Sequence, residues 1–188
     1  MTKTNKTERQ KMLANEPYLS TDPELVAMRQ ATQQHLHTLN ATAPNHRQQR
    51  QEILQNLFHR LGSGFEIVPP FYCDYGCHIQ AGKNLYINFN CTILDCNWVT
   101  MGDDVLIAPN VQIYTAYHPT DPATRLTGVE MAAPITIGNN VWIGGGVIIC
   151  PGVTVGDNTT IGAGSVVTKS VPANCVAVGN PCRVIRQV

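Results

Sequence analysis

The sequence predicts a mainly-β chain, a β-helix wound from hexapeptides that follows a helical N-terminal segment. Ile137, Ile143, Ile149, Val155, Ile161 and Val167 recur at strict six-residue spacing, with Val141, Val147 and Val153 four residues after the first three. A half-buried strand alternates every two residues and a helix every three to four, so an unbroken period of six fits neither element extended alone. It fits short strands separated by turns and stacked coil on coil. Gly or Asn stands at nearly every step, as at Gly138-Asn139-Asn140, Gly144 to Gly146 and Pro151-Gly152, where the backbone must turn. Residues 1–61 have another texture, rich in Gln, His, Arg and Leu, with no glycine before Gly62.

The elements follow in order. Thr7 to Ala14 form a short first helix. Asp22 before Pro23 is an N-cap with proline at the first helical position, and Leu25, Met28, Leu36 and Leu39 continue an apolar face. A further helix runs from about Pro44 to Leu61 on the stripe Ile53, Leu54, Leu57, Phe58 and Leu61, with Gly62 as its stop. The boundary therefore falls at 61, with a helical unit over 1–61 and the repeat over 62–188. The repeat register runs through Ala81, Ile87 and Ile93, skips two residues near Asn97, and resumes at Met101, Ile107 and Ile113. Residues 115–131 have no repeat character, and the period returns at Ile137. Each buried Val or Ile contributes roughly 1.5–3 kcal/mol, so the coil is the stable frame and the excursion is where function is expected.

Thirteen basic residues balance thirteen acidic ones, with no basic block or aromatic-basic stripe, which argues against a nucleic-acid surface. No apolar run approaches a membrane span, and the polar stretch Met1 to Gln10 lacks the apolar core of a signal peptide, so the expected compartment is the cytoplasm. In that compartment the Asn-x-Thr matches at Asn5, Asn40, Asn90 and Asn158 are chance. The seven cysteines form no C-x-x-C pair and read as reduced thiols, Cys91 filling a step where a small hydrophobe belongs.

His118 is the candidate for chemistry. It stands at the root of the excursion beside Pro119, in a repeat whose one other histidine is His78. An imidazole is suited to take a proton from a hydroxyl as a bond forms. His35 and His37, two apart on a helix, point about 200° from one another and cannot share a metal.

Asn88-Phe89-Asn90, Tyr114-Thr115-Ala116-Tyr117-His118-Pro119, Ile137-Gly138-Asn139-Asn140-Val141-Trp142-Ile143-Gly144 and Val167-Thr168-Lys169 together resemble the hexapeptide-repeat acyltransferases. Within them the chain is similar to the sugar O-acetyltransferases of the maltose and galactoside type, and Met12-Leu13-Ala14 with Tyr18 resembles their small N-terminal cap. The resemblance implies a left-handed parallel β-helix that forms a homotrimer, with acetyl-CoA in the groove between subunits and no metal. It implies acetyl transfer to a sugar hydroxyl of maltose or glucose type, by direct attack on the thioester.

In that reading His118 is the base, Asn88 stands beside the reacting centre, and the Gly145 N–H stabilises the developing oxyanion. Trp142, Gly145, Ala163, Thr168, Lys169, Arg183 and Arg186 match positions that hold acetyl-CoA, the cations suiting its phosphates. Asp74, Asp95 and Ser20 match the acceptor side. Glu130 is grouped with them, either bonding the His118 imidazole to fix its tautomer or standing as a surface carboxylate. The galactoside enzyme carries a serine in place of Asp74, a carboxylate in place of Cys96 and an aspartate in place of Ser20, so the acceptor pocket of this chain differs.

Three other readings stay open. The acceptor is a galactoside or a xenobiotic hydroxyl, or the repeat is a non-catalytic scaffold. A carbonic anhydrase of the same fold needs three His ligands on zinc, and the repeat offers only His78 and His118.

Overall fold

The computed structural model describes residues 6–188; Asn5, one of the Asn-x-Thr matches, lies outside the described residues. Helix α1 (Glu8–Leu13) opens on a capping box in which the Thr7 hydroxyl accepts from the Gln10 N–H and the Gln10 side chain accepts from the Thr7 N–H. Helix α2 (Pro23–Ala41) is capped by Asp22 as expected, and Leu25, Thr32, Leu36 and Leu39 are buried along it. His35 and His37 are exposed.

Helix α3 (Arg47–Leu57) ends four residues earlier than the apolar stripe suggests. Phe58 turns extended, the His59 N–H donates to the Ile79 carbonyl at 3.0 Å, and Arg60–Leu61 pairs with Gln80–Ala81 as the first strand of the coil. Gly62 is thus a stacking residue and no helix stop: a Cβ there would meet the Gly82 carbonyl carbon at 2.4 Å. Phe58 and Leu61 read as a helical stripe because they pack on the end of the same core.

From there the chain winds a left-handed parallel β-helix with three faces. The first stacks Arg60–Leu61, Ile79–Ala81, Val99–Met101, Ile135–Ile137 and Thr154–Val155. The second stacks Glu66–Ile67, Tyr86–Ile87, Leu106–Ile107, Trp142–Ile143, Thr160–Ile161 and Cys175–Val178, and ends in an antiparallel strand, Arg183–Gln187. The third stacks Phe71–Cys73, Cys91–Leu94, Gln112–Tyr114, Ile148–Ile149 and Val166–Val167. The six-residue register maps one inward residue to each face, so that Ile67, Ile87, Ile107, Ile143, Ile161 and Ala177 form one buried column. Cys91, in its predicted apolar step, is buried.

The outward columns differ in character. The first face presents Arg60, Gln80, Thr100, Thr136 and Thr154. The second presents Leu106 and Trp142 side by side, and the third Tyr72, Gln112 and Ile148. Two faces are therefore studded with apolar groups and one is polar.

The excursion has its own structure. Ala116–Tyr117, helix α4 (Pro122–Leu126) and Val129–Ala132 form a hairpin, and Tyr18–Leu19 from the N-terminal segment adds to it antiparallel, Tyr18 opposite Glu130. That third strand has no signal in the sequence, because two residues set no period.

Candidate active site

At the corner between the third and first faces, the residues expected on the acceptor side meet the cap. The Glu130 carboxylate accepts the Tyr18 hydroxyl at 2.9 Å and the Ser20 hydroxyl at 2.7 Å, one on each oxygen. It therefore fixes the cap strand on the hairpin and makes no bond to His118. Arg29 of α2 donates to the Ser20 carbonyl at 2.7 Å and to the Tyr75 hydroxyl at 2.6 Å, tying the Ser20 loop to the coil. Asp74 follows the strand Phe71–Cys73, half-buried, and accepts the Cys96 thiol at 3.4 Å. Burial pushes its carboxyl upward, with Cys96 and the Arg29 guanidinium pulling the other way. The Cys96 thiol is itself pushed up by burial, and so stays a donor.

Asp95 corrects the sequence reading. It has no exposed surface, and its carboxylate accepts the N–H groups of Asp74 at 3.0 Å, Tyr75 at 2.8 Å and His78 at 3.3 Å. Burial pushes it up to about 7, with the backbone N–H groups of Tyr75, Gly76 and His78 pulling it down and the Asp74 charge adding to the rise. Its place is inside the corner, folding the loop that carries Asp74, and an acceptor cannot reach it.

His118 follows Ala116–Tyr117 directly and is exposed. No hydrogen bond to its ring occurs among the described residues, so its backbone alone places it. That backbone is held by the hairpin and by the Tyr117 hydroxyl, which donates to Asn15 Oδ1 at 3.1 Å.

The residues expected to meet acetyl-CoA lie on other corners and faces of the prism, except Thr168 and Lys169, which share the third-to-first corner farther along the coil. Asn88 and Gly145 sit on the corner between the second and third faces. The Phe89 N–H donates to Asn88 Oδ1 at 2.8 Å. Gly145 stacks between Pro109 and Ala163, since the Gly146 N–H donates to the Pro109 carbonyl and the Gly164 N–H to the Gly145 carbonyl, each at 2.9 Å. The Gly145 N–H itself has no backbone acceptor among the described residues. Trp142 is 55% exposed between Leu106 and Thr160 on the second face. Arg183 and Arg186 lie on the terminal strand of that face, opposite Val178 and Val176. Thr168 and Lys169 are exposed on the third-to-first corner, in line with Leu94, Tyr114 and Cys150.

Within one chain, then, His118 and the acceptor cluster stand at one edge of the third face, and Asn88 and Gly145 at the other. Sequence reasoning missed Arg29, Tyr75 and Asn97 as structural partners of this site, and named Tyr18 only as part of the cap, without its bond to Glu130. Of these, Asn97 alone left a signal, a polar residue at the skip in the register.

Residues 11–62 match the maltose acetyltransferase hexapeptide capping motif, and residues 134–169 match the bacterial transferase hexapeptide of six repeats. The fold superposes on a crystal structure of a maltose O-acetyltransferase from Clostridium difficile 630 with a TM-score of 0.97 and 48% identity, covering 97% of this chain and 98% of that one. It superposes on galactoside acetyltransferase in complex with coenzyme A with a TM-score of 0.94 and 43% identity, covering 97% and 92%. Nodulation protein L of Rhizobium meliloti (strain 1021) is 49% identical over 95% of this chain and 98% of its own length. With a capped hexapeptide coil matched along nearly its whole length, the chain belongs to the acetyl-CoA-dependent O-acetyltransferases of the maltose and galactoside type.

Proposed function

We propose that the protein transfers the acetyl group of acetyl-CoA to a hydroxyl of a maltose- or glucose-type sugar, with His118 as general base. The observation that carries this reading is the hairpin, clamped by the cap strand, that holds an exposed His118 on the same corner as Asp74, Ser20 and Cys96. The imidazole takes the proton of the acceptor hydroxyl, and the oxygen attacks the thioester carbonyl carbon. The carbonyl oxygen gains charge, and the Gly145 N–H, which has no backbone acceptor among the described residues, meets it. The tetrahedral intermediate collapses by breaking the C–S bond, and the thiolate takes the proton back from the imidazolium. Base catalysis of this kind is worth about 10²–10⁴ in rate. Asp74, whose carboxyl accepts the Cys96 thiol at the rim of the cluster, orients the sugar.

The assembly completes the site. A cyclic trimer joins two different patches of each subunit, and this chain carries two apolar-studded faces beside one polar face. Such packing brings His118 of one copy to the Asn88 and Gly145 corner of the next, which a single chain holds apart. Trp142, Ala163, Thr168, Lys169, Arg183 and Arg186 then line the acetyl-CoA groove. The cytoplasm, which supplies acetyl-CoA, is the compartment this chemistry needs.

The test is acetyl-CoA consumption over maltose, glucose, a β-galactoside and a panel of hydroxyl-bearing antibiotics. Sugars are expected to turn over, and turnover confined to an antibiotic would move the acceptor to a xenobiotic. His118→Ala folds and loses at least about a hundredfold in kcat; near-normal turnover refutes the base. Arg183→Ala mainly raises the KM for acetyl-CoA, and an effect on the sugar alone contradicts its placement.

A further inference from the structure

Asn97 occupies the skip between Ile93 and Met101, and its residue surface is 1% exposed. A buried amide is tolerated where its groups find partners, and each group of Asn97 does. Its Oδ1 accepts the Trp98 N–H at 2.7 Å. Its Nδ2 donates to the Ala132 carbonyl at 2.7 Å and to the Met12 carbonyl at 3.0 Å. Its own N–H donates to Thr115 Oγ1 at 3.0 Å, and that hydroxyl donates on to the Leu94 carbonyl at 2.7 Å.

These partners are not a random set. Thr115 is the residue at which the excursion leaves the coil, and Ala132 lies on the strand by which it returns. Met12 belongs to α1 of the cap. One residue thus joins both feet of the His118 hairpin to the coil, the return foot and the cap through its side chain and the departing foot through its backbone N–H, which the side chain orients. His118 lies three residues beyond Thr115, and among the described residues no side-chain bond of its own steadies it.

We infer that Asn97 is the positioning residue for His118, an inference that rests on reading His118 as the base. A base must approach its hydroxyl within about 2.6–3.2 Å, and a misplacement of about 1 Å costs on the order of a hundredfold in rate. Loosening either foot of the hairpin therefore lowers turnover. It leaves acetyl-CoA binding alone, because the Gly145, Ala163 and Arg183 positions are held by other coils.

The experiment uses the full chain with Asn97→Asp, which keeps the shape and the Oδ1 acceptor but removes the Nδ2 donations, and Asn97→Ala. Val153→Ala, at a 2% exposed position on the next coil, serves as a control that destabilises by lost burial while removing no hydrogen bond to the hairpin. Kinetics use acetyl-CoA and the best sugar from the panel, and melting is followed in parallel. The Asn97 variants are expected to lose about tenfold or more in kcat with the acetyl-CoA KM within about twofold, while Val153→Ala keeps its kcat at a comparable loss of Tm. Wild-type kcat in Asn97→Asp, or an equal loss in Val153→Ala, overturns the inference. Should the Asn97 variants fail to fold, Thr115→Val removes the hydroxyl that meets the Asn97 N–H and carries the same expectation and the same refutation. His118→Ala runs alongside: if it stays active the base reading falls, whereas a silent His118→Ala beside active Asn97 variants removes only the positioning role.

Discussion

Asn158 tests how the coil turns its corners. Its φ is +55°, one of a column with Asn84 at +58°, Asp104 at +58°, Asn140 at +53° and Asn174 at +58° between the first and second faces. Its Nδ2 donates to Asn174 Oδ1 at 2.8 Å and its Oδ1 accepts from Asn140 Nδ2 at 2.9 Å. Asn158→Ala keeps a Cβ in the left-handed region but loses the short amide side chain that lets asparagine occupy it, exposing the full strain of about 1–2 kcal/mol. It also removes two exposed hydrogen bonds worth about 0.5 kcal/mol each, for a total of about 2–3 kcal/mol. Asn158→Gly loses the same two bonds but replaces the strain with about 0.5–1 kcal/mol of extra freedom in the unfolded chain, for about 1.5–2 kcal/mol. At about 2–4 °C per kcal/mol in a chain of this length, alanine lowers Tm by about 4–12 °C and glycine by less. Thermal melts followed by circular dichroism at one fixed protein concentration read this, since association raises Tm by mass action. In an ordinary strand or helix alanine is the more stable of the two. An Asn158→Ala protein that melts at or above Asn158→Gly would refute the corner argument.

Two further outcomes are expected. His78 is buried beneath Tyr75 and Trp98, faces Arg9 and His59, and donates from Nδ1 to the Asp95 carbonyl at 2.8 Å; burial pushes its pKa down to about 4 from an ordinary 6.5. Between those values the unfolded chain binds a proton that the folded chain refuses, so stability falls as pH drops from about 6.5 and the loss, about 3 kcal/mol, is complete below about 4. His78→Asn, which keeps a donor for the Asp95 carbonyl, is expected to flatten that part of the difference between urea melts at pH 7 and pH 4; an unchanged difference would show that His78 does not carry it. Gly145→Ala puts a Cβ no closer than 3.4 Å to any atom beyond its chain neighbours, the Pro109 carbonyl oxygen, so it should melt like the wild type. Because that Cβ enters the space assigned to the thioester, the KM for acetyl-CoA should rise severalfold; an unaltered KM would remove Gly145 from the cofactor groove.

The inward register was readable residue by residue because each aliphatic step answers to one physical demand, burial in a stack. The end of α3 was not, because Phe58 and Leu61 satisfy a helical stripe and a coil strand equally, and only the close approach at Gly62 decides between them. The candidate base was legible because His118 interrupts a monotonous pattern. The acceptor wall was legible only in part. Asp74 and Asp95 are both aspartates at the ends of third-face strands, yet one sits at the rim and the other inside. That distinction lies in which backbone N–H groups each meets, and no spacing encodes it. The bonds of Tyr18 and Arg29 were illegible for a related reason, since their partners Glu130 and Tyr75 lie 112 and 46 residues away.

The skip near Asn97 was not a solitary irregularity. Counting between inward positions of the third and first faces, Cys73 to Ala81 and Ile93 to Met101 are each eight residues, whereas Ile149 to Val155 is six. The first two turns thus carry the same two-residue insertion at the same corner, and the third carries the whole excursion there. Insertions in a coil have to stack, because a lone bulge would leave its backbone polar groups without the ladder partners above and below it. The stacked insertions find each other instead: the upper one supplies Asp95 to the N–H groups of the lower, and Asn97 to the feet of the excursion. A corner widened in this way is the one place on the prism where a polar wall forms without breaking the coil, and the acceptor cluster and the His118 hairpin both stand on it.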